Sequence, residues 1–339
     1  MVFKIQILRI FVCLVVIFVM TAANVPHVKP DKENLKEYLF VSMPSPAPET
    51  YNPVFPPNID SVIIPLKKAG RLFLIEAKVE DETGNLVFDS GASNLVLNST
   101  YFRDHVRSGT AVTSGITGSL GKIERITVER MEFGELTYRR MRADVANLGH
   151  IENKRGVKIL GLVGFGMMKN VEIVLDASQS ELRLYKVDKE GKRLNSESTA
   201  IKPDYTQEIE GNGNILFLKA MIAGRNLNFC FDTGAETNAI GSDVNKTILS
   251  TLTITRRIEL KGAGNAKSEV LFGRMNDFTM GAKKINDMET IVTNLRSLNE
   301  AYNTTIDGML GYNFLEQGVI TINFVKRQFG IQFTKGAEK

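Results

Sequence analysis

Residues 85–98 read NLVFDSGASNLVLN, and residues 228–241 read NFCFDTGAETNAIG. Each stretch drives large apolar side chains, Leu86-Val87-Phe88 and Phe229-Cys230-Phe231, straight into an Asp, a hydroxyl residue and a Gly. Ionising a carboxylate at the inner end of a buried strand is expensive, so its recurrence calls for a reason. Laid at an offset of 143, residues 71–98 fall on 214–241 without a gap, with Ala77 on Ala220, Asn85 on Asn228, Asp89 on Asp232, Gly91 on Gly234 and Ala92 on Ala235. From Ser114 onward the offset is 147, which places Gly115 on Gly262, Gly134 on Gly281, Gly161 on Gly308 and Gly164 on Gly311. The register predicts two copies of one architecture, each on the scale of a small domain.

Within each copy the local signal is strand. RLFLIEAKVEDETGNLVFD offers two apolar runs around a turn at Gly84, and NILFLKAMIAGRNLNFCFD turns at Gly224. Alternating stretches such as KIERITVERMEFG, VEIVLDASQSELRLYK and VITINFVKRQFGIQF complete an all-β, barrel-like half, with a short helix expected near GMMKN and another near NFLEQ. If a two-fold axis relates the halves, equivalent residues near that axis meet, and Asp89 faces Asp232. Two carboxylates in contact cannot both ionise near neutrality, so one proton is shared. The charged member can then take a proton from water while the neutral one donates to a carbonyl oxygen. Gly91 and Gly234 let main-chain N–H groups approach the carboxylates, and the hydroxyls of Ser90 and Thr233 can tie the turns together.

The residues Phe88-Asp89-Ser90-Gly91-Ala92 and Phe231-Asp232-Thr233-Gly234-Ala235, each followed about 70 residues later by Leu162-Val163-Gly164 and Met309-Leu310-Gly311, resemble the pepsin and retropepsin clan of aspartic proteases. The likeness is to its bacterial two-lobed, retropepsin-like members and spans roughly residues 61–335. It implies one β-barrel lobe per copy, a cleft between them, and hydrolysis of a peptide bound in extended form. It also implies that the hydrophobic-hydrophobic-Gly element braces the Asp turn, and that flap hairpins near Gly115 to Gly118 and Gly262 to Gly264 close over substrate. Ala92 and Ala235 stand where pepsin-like enzymes carry Thr or Ser, and losing that hydroxyl should raise the pKa of the pair, giving activity at mildly acidic to neutral pH. Where retroviral enzymes place a substrate-binding Asp, this chain has Ser93 and Glu236, and only Glu236 offers a carboxylate. Both Asp turns lie in one chain, so dimerisation is not required. The rival reading is a non-catalytic peptide-binding or sensing protein on the same fold.

The remaining sequence bounds these readings. The net charge of +4 over 339 residues does not predict nucleic-acid binding. Two basic residues, an apolar run from Ile10 to Met20 and the small Thr21-Ala22-Ala23 have the layout of a signal peptide over 1–23, cleaved after Ala23 for periplasmic or extracellular export. The alternative is an uncleaved anchor, the one case in which a membrane is a partner. Nine of the ten prolines lie between Pro26 and Pro65, so residues 24–60 are expected to run extended as a tether or propeptide. The first lobe is expected over 61–190, a linker over 191–203 and the second lobe over 204–339. No cofactor or metal is implied, since His27, His105 and His150 are scattered and GLVGFG lacks a βαβ setting. Cys230 reads as a small core residue. YRRMRAD and RSLNE read as solvated faces and ENKRGVK as an exposed loop.

Overall fold

The structure, a computed structural model, describes residues 18–20, 51–92, 94–105, 107–115, 118–194, 201–210, 215–261, 267–302 and 304–334. Among them no helix is long and apolar enough to cross a membrane. Most of the fold is antiparallel β, arranged as one sheet in each lobe and a third sheet shared between them.

In the first lobe, Leu72–Val79 pairs antiparallel with Glu82–Phe88 through a tight turn at Glu80, whose φ is 51°. The second of these strands ends in the Asp turn, and Leu95–Asn98 leaves it. Ile159–Val163 then inserts between the two, parallel to the incoming strand and antiparallel to the outgoing one. Leu86, Val87 and Phe88 are all buried because both faces of this central strand are covered, which explains a continuous apolar run where alternation would mark a half-exposed strand. The second lobe repeats the arrangement: Leu216–Ile222 pairs with Arg225–Phe231, and Gly308–Leu310 inserts between that strand and Asn238–Gly241.

Beyond the outgoing strand each sheet continues into a hairpin. Arg107–Gly115 pairs with Gly118–Phe133 in the first lobe, and Thr253–Lys261 with Lys267–Met275 in the second. The returning strand of the first hairpin is long enough to pair again with Leu72–Val79 and curl the sheet toward closure. In the second lobe the same path is broken near Asp277, at a φ of 60°, and a separate strand Phe278–Met280 completes it against Leu216–Ile222.

The third sheet runs Tyr205–Glu208, Gln328–Phe333, Gly318–Asn323, Val171–Asp176, Glu181–Lys186, Ser61–Pro65. Three strands come from each half, and they join where Val171–Asp176 meets Gly318–Asn323 antiparallel, Ile173 opposite Ile322. The sequence reading of two self-contained lobes misses this sheet. Its inner face feeds a core continuous across both halves, including Phe88, Phe165, Phe231, Phe314 and Phe329. Phe165 stacks on Phe231 at 6.3 Å between centroids and meets Phe88 edge-on at 6.0 Å, so the aromatic residue before each Asp is packed on a common ring.

Several local expectations need correction. ENKRGVK is only half loop: its first four residues close the helix Gly149–Arg155, which buries Ile151 and stops at Gly156, whose φ is 65°, and Gly156 to Lys158 form the connection to the next strand. GMMKN carries only a 3-10 turn at Phe165–Met167, whereas the helix near NFLEQ is present as Tyr312–Leu315. YRRMRAD belongs to the strand Leu136–Ala146, with Arg139, Arg140 and Arg142 outward but Tyr138, Met141 and Asp144 buried, so only one side is solvated. RSLNE opens the helix Arg296–Tyr302 and buries Leu298. Of the Pro-rich segment, residues 51–60 run along the first lobe, where Val54 exchanges two backbone hydrogen bonds with Thr137. Residues 24–50 lie outside the described residues, as does the leader except for Phe18–Met20, a short strand beside Val112–Ser114 of the first hairpin.

Candidate active site

The two Asp turns meet at the junction of the lobes and are held by four reciprocal hydrogen bonds. Ser90 N–H donates to Thr233 Oγ1 at 2.9 Å, and Thr233 N–H donates to Ser90 Oγ at 2.9 Å. Each hydroxyl in turn donates to a carbonyl across the junction, Ser90 Oγ to Phe231 O at 3.0 Å and Thr233 Oγ1 to Phe88 O at 2.7 Å. Ser90 and Thr233 are fully buried, and this lattice satisfies their main chain where water is excluded. Each carboxylate is oriented from its own turn: Gly91 N–H donates to Asp89 Oδ1 at 2.9 Å and Gly234 N–H to Asp232 Oδ1 at 2.8 Å. The opposite Gly makes room for it. A Cβ on Gly234 would stand 2.6 Å from the Asp89 carboxyl carbon, and one on Gly91 would stand 2.9 Å from that of Asp232. Glycine is therefore required for close approach.

The inserted strands fix the turns from behind. Asp89 N–H donates to Val163 O at 3.0 Å, and Asp232 N–H to Leu310 O at 2.9 Å. Gly164 N–H donates to Asn94 O at 2.9 Å, while Gly311 N–H uses the side-chain oxygen of Asn238 at 2.9 Å. Side chains at either Gly would strike the turn, since a Cβ would fall 1.9 Å from Ala92 O or 2.6 Å from Ala235 O.

Asp89 and Asp232 are both fully buried. Burial raises the pKa of Asp89 well above the ordinary carboxylate range, and repulsion from Asp232 with a hydrogen bond between the two adds to it. Burial also raises Asp232, to about 6, against the opposing pull of hydrogen bonds from Asp89 and from the turn amides. Neither Oδ2 has a partner while both groups only accept, but a proton on one makes it the donor to the other. Such a pair holds one proton in common over the neutral range.

Of the other sequence-predicted positions, Ala92 and Ala235 are buried at the ends of the turns. Gly115 and Gly118 face each other as the last pair of the first hairpin. Ser93, Gly262 and Gly264 lie outside the described residues. Glu236 is present at the turn, but its carboxylate is taken by Arg155 of the first lobe, with Lys154 at 3.6 Å. In the structure it is an interlobe ion-pair partner. Arg155 reaches it by crossing Gly70, where a Cβ would collide with the guanidinium. Arg71 adds a second tie, donating to Glu236 O and Thr237 Oγ1 at 3.3 Å each and pairing with Glu289 at 2.6 Å. Sequence reasoning missed both arginines. Their signal is asymmetry between the copies: Asn214 and Tyr302 stand at the positions equivalent to Arg71 and Arg155, and Ser93 at that of Glu236.

Replacing Glu236 by Gln leaves two cations facing a neutral amide in a site where the Arg155 side chain is 12% exposed. The expected cost is about 3 kcal/mol, read from denaturant midpoints. Arg155→Met should cost less, because Lys154 remains beside Glu236. The double variant should cost less than the two singles together.

Two β lobes meeting over reciprocally bonded Asp-Ser-Gly and Asp-Thr-Gly turns define a bilobed acid-protease fold. Residues 218–314, from the first strand pair of the second lobe through Asp232-Thr233-Gly234 to the helix after Gly311, match the aspartyl protease family. That match supports a protease. A search of curated proteins finds no match to the chain.

Proposed function

We propose that the chain is an exported aspartic endopeptidase, active as a single chain, in which Asp89 and Asp232 activate water between them. The observation that carries this reading is the pairing of two fully buried carboxylates across the lobe junction, each fixed by its own turn and each raised by burial. With one proton on the pair, the charged member takes a proton from water as it attacks the peptide carbonyl, and the neutral member donates to the carbonyl oxygen. In the second step the carboxyl that gained a proton passes it to the departing amine as the C–N bond breaks, while the other takes a proton back from a hydroxyl of the tetrahedral diol as the carbonyl re-forms, and the pair is restored with one proton. Both aspartates are fully buried, so the site has to open before an extended peptide can reach them.

The test is digestion of a diverse peptide library between pH 2 and pH 8. The reaction needs one carboxylate charged, and that form is lost as pH falls through the value near 6 to which burial raises Asp232. Turnover should therefore fall about tenfold per pH unit on the acid side of that value. A statine-type peptide should block it. An optimum below about pH 3.5 would refute the assignment of the shifted pair. Tight peptide binding without turnover at any pH would favour the non-catalytic reading.

A further inference from the structure

The two Asp turns are braced in different ways, although their sequences align without a gap. In the first lobe the leg leaving the turn is held by its own brace, through Gly164 N–H on Asn94 O at 2.9 Å. The residue equivalent to Asn94, at the offset of 143, is Thr237. In the second lobe the equivalent amide, that of Gly311, is directed instead to Asn238 Oδ1 at 2.9 Å. Tyr312 N–H, from the same brace, holds Ala235 O at 2.8 Å. The second brace thus grips Ala235 and Asn238, on either side of Glu236 and Thr237.

Those two residues are gripped from the other lobe. Arg71, immediately before the first-lobe strand Leu72–Val79, donates from Nη1 to Glu236 O and Thr237 Oγ1 at 3.3 Å each, while its Nη2 pairs with Glu289 at 2.6 Å. Its guanidinium carbon lies 5.8 Å from the centre of the Tyr312 ring, next to the Gly311 brace. Arg155 takes the Glu236 carboxylate as well. Glu236 and Thr237 are buried, so water is a poor substitute for these donors. A planar guanidinium meets such a set of acceptors in fixed directions, which the single ammonium of Lys does not.

The grip bears on the dyad through the turn itself. Ala235 N–H turns back onto Asp232 O at 3.3 Å and Gly234 N–H holds Asp232 Oδ1 at 2.8 Å, so a shift of the leg is passed to the carboxylate within a few residues. The asymmetry follows the bracing: the charged grip falls on the turn whose brace amide is spent on a side chain. At the equivalent places around the first-lobe turn stand Asn214, Tyr302 and Ser93, none of which carries a charge.

We propose that Arg71 is a positioning residue for catalysis: from the first lobe it fixes the leg leaving the second-lobe Asp turn, and with it the place of Asp232 in the dyad. The leg after Asp89 is held within its own lobe and the leg after Asp232 across the junction. Asp232 is therefore in place only while the lobes are together on this flank. The proposal rests on the reading of the two aspartates as a catalytic pair, whose rate depends on their mutual geometry.

The deciding variant is Arg71→Met, which keeps an unbranched side chain beside Tyr312 and removes the three donated contacts. Two readouts are taken on the intact protein: steady-state cleavage of a peptide drawn from the library digest, and amide hydrogen exchange at Gly234 and Gly91, which bond Asp232 and Asp89 respectively. The variant should lose about tenfold in kcat with KM within about twofold of wild type. Gly234 N–H should exchange about tenfold faster, while Gly91 N–H keeps its rate. Arg71→Lys keeps a charge for Glu289 without the fork, and should show most of both effects. A preserved kcat overturns the proposal. So does an equal change at the two glycines, or none at either, since a residue that only adds general stability moves both alike. If wild type cleaves nothing at any pH, the protease reading fails separately, and the difference in exchange between the two turns decides alone. Should Arg71→Met not fold, Arg71→Lys decides by the same two amides.

Discussion

Replacing Asp232 by Asn is expected to reduce peptide turnover by about 10³-fold or more while making the protein more stable at neutral pH. The two effects have one cause. The carboxyl is fully buried beside Asp89, and burial lifts its pKa from 3.8 to about 6. A group bound to its proton more tightly in the folded state contributes stability that is fully present below the unfolded value, near pH 4, and is lost as pH rises through the folded value. By pH 7 the lifted carboxyl has therefore cost about 3 kcal/mol, at about 1.4 kcal/mol per unit. Asn imitates the neutral form: its Oδ1 accepts from Gly234 N–H as Asp does, and its Nδ2 donates to Asp89. The gain should appear as a thermal midpoint some degrees higher at pH 7 and vanish near pH 4. Asp89→Asn should behave alike, since burial and repulsion from Asp232 lift Asp89 as well. Activity retained in either variant would remove both aspartates from the chemistry. A midpoint lowered at pH 7 would mean that the pair stabilises the junction instead of straining it.

What the sequence makes legible is what close approach writes into it. The Asp turns need Gly91 and Gly234 because the opposing carboxylates leave no space for a Cβ, and the inserted strands need Gly164 and Gly311 because the turn carbonyls lie against them. Such requirements recur at fixed offsets and can be read without coordinates. The end of the first hairpin is legible for a related reason, since Gly115 and Gly118 form its last register pair. The shared sheet is not legible. Val171–Asp176 and Gly318–Asn323 are short strands buried on most positions, and nothing local in VEIVLD or GVITIN states that they pair with each other. The helix Gly149–Arg155 escapes because it is under two turns long, has no side-chain N-cap and buries one apolar residue, too little for a helical period to register. The ties of Arg155 and Arg71 to the second lobe connect residues 81 and 165 positions apart or more, so no spacing rule can find them. In the dyad, by contrast, symmetry substitutes for contact information. Once two equivalent turns are recognised, their meeting at a two-fold axis follows.

The same symmetry sharpens the expectation for Thr233→Val, which keeps side-chain shape and deletes the hydroxyl. That hydroxyl serves two main-chain groups of the other lobe, donating to Phe88 O and accepting from Ser90 N–H. Ser90 is fully buried, so neither group finds water when the hydroxyl goes, and an abandoned buried polar group costs about 1–3 kcal/mol. The variant should therefore lose about 2–5 kcal/mol in denaturant unfolding, far more than the loss of one exposed hydrogen bond. Thr233→Ser should stay within about 1 kcal/mol, because Ser90 performs the same double role from the other side with no methyl group. The lobes should not separate, since Val171–Asp176 and Gly318–Asn323 still join them through five register pairs remote from the turns. What loosens is the spacing of the carboxylates, so turnover should fall at least about tenfold in protein that remains folded. Near-wild-type stability in Thr233→Val would show that the reciprocal bonds are incidental to the junction, and that the shared sheet alone sets the distance between the two aspartates.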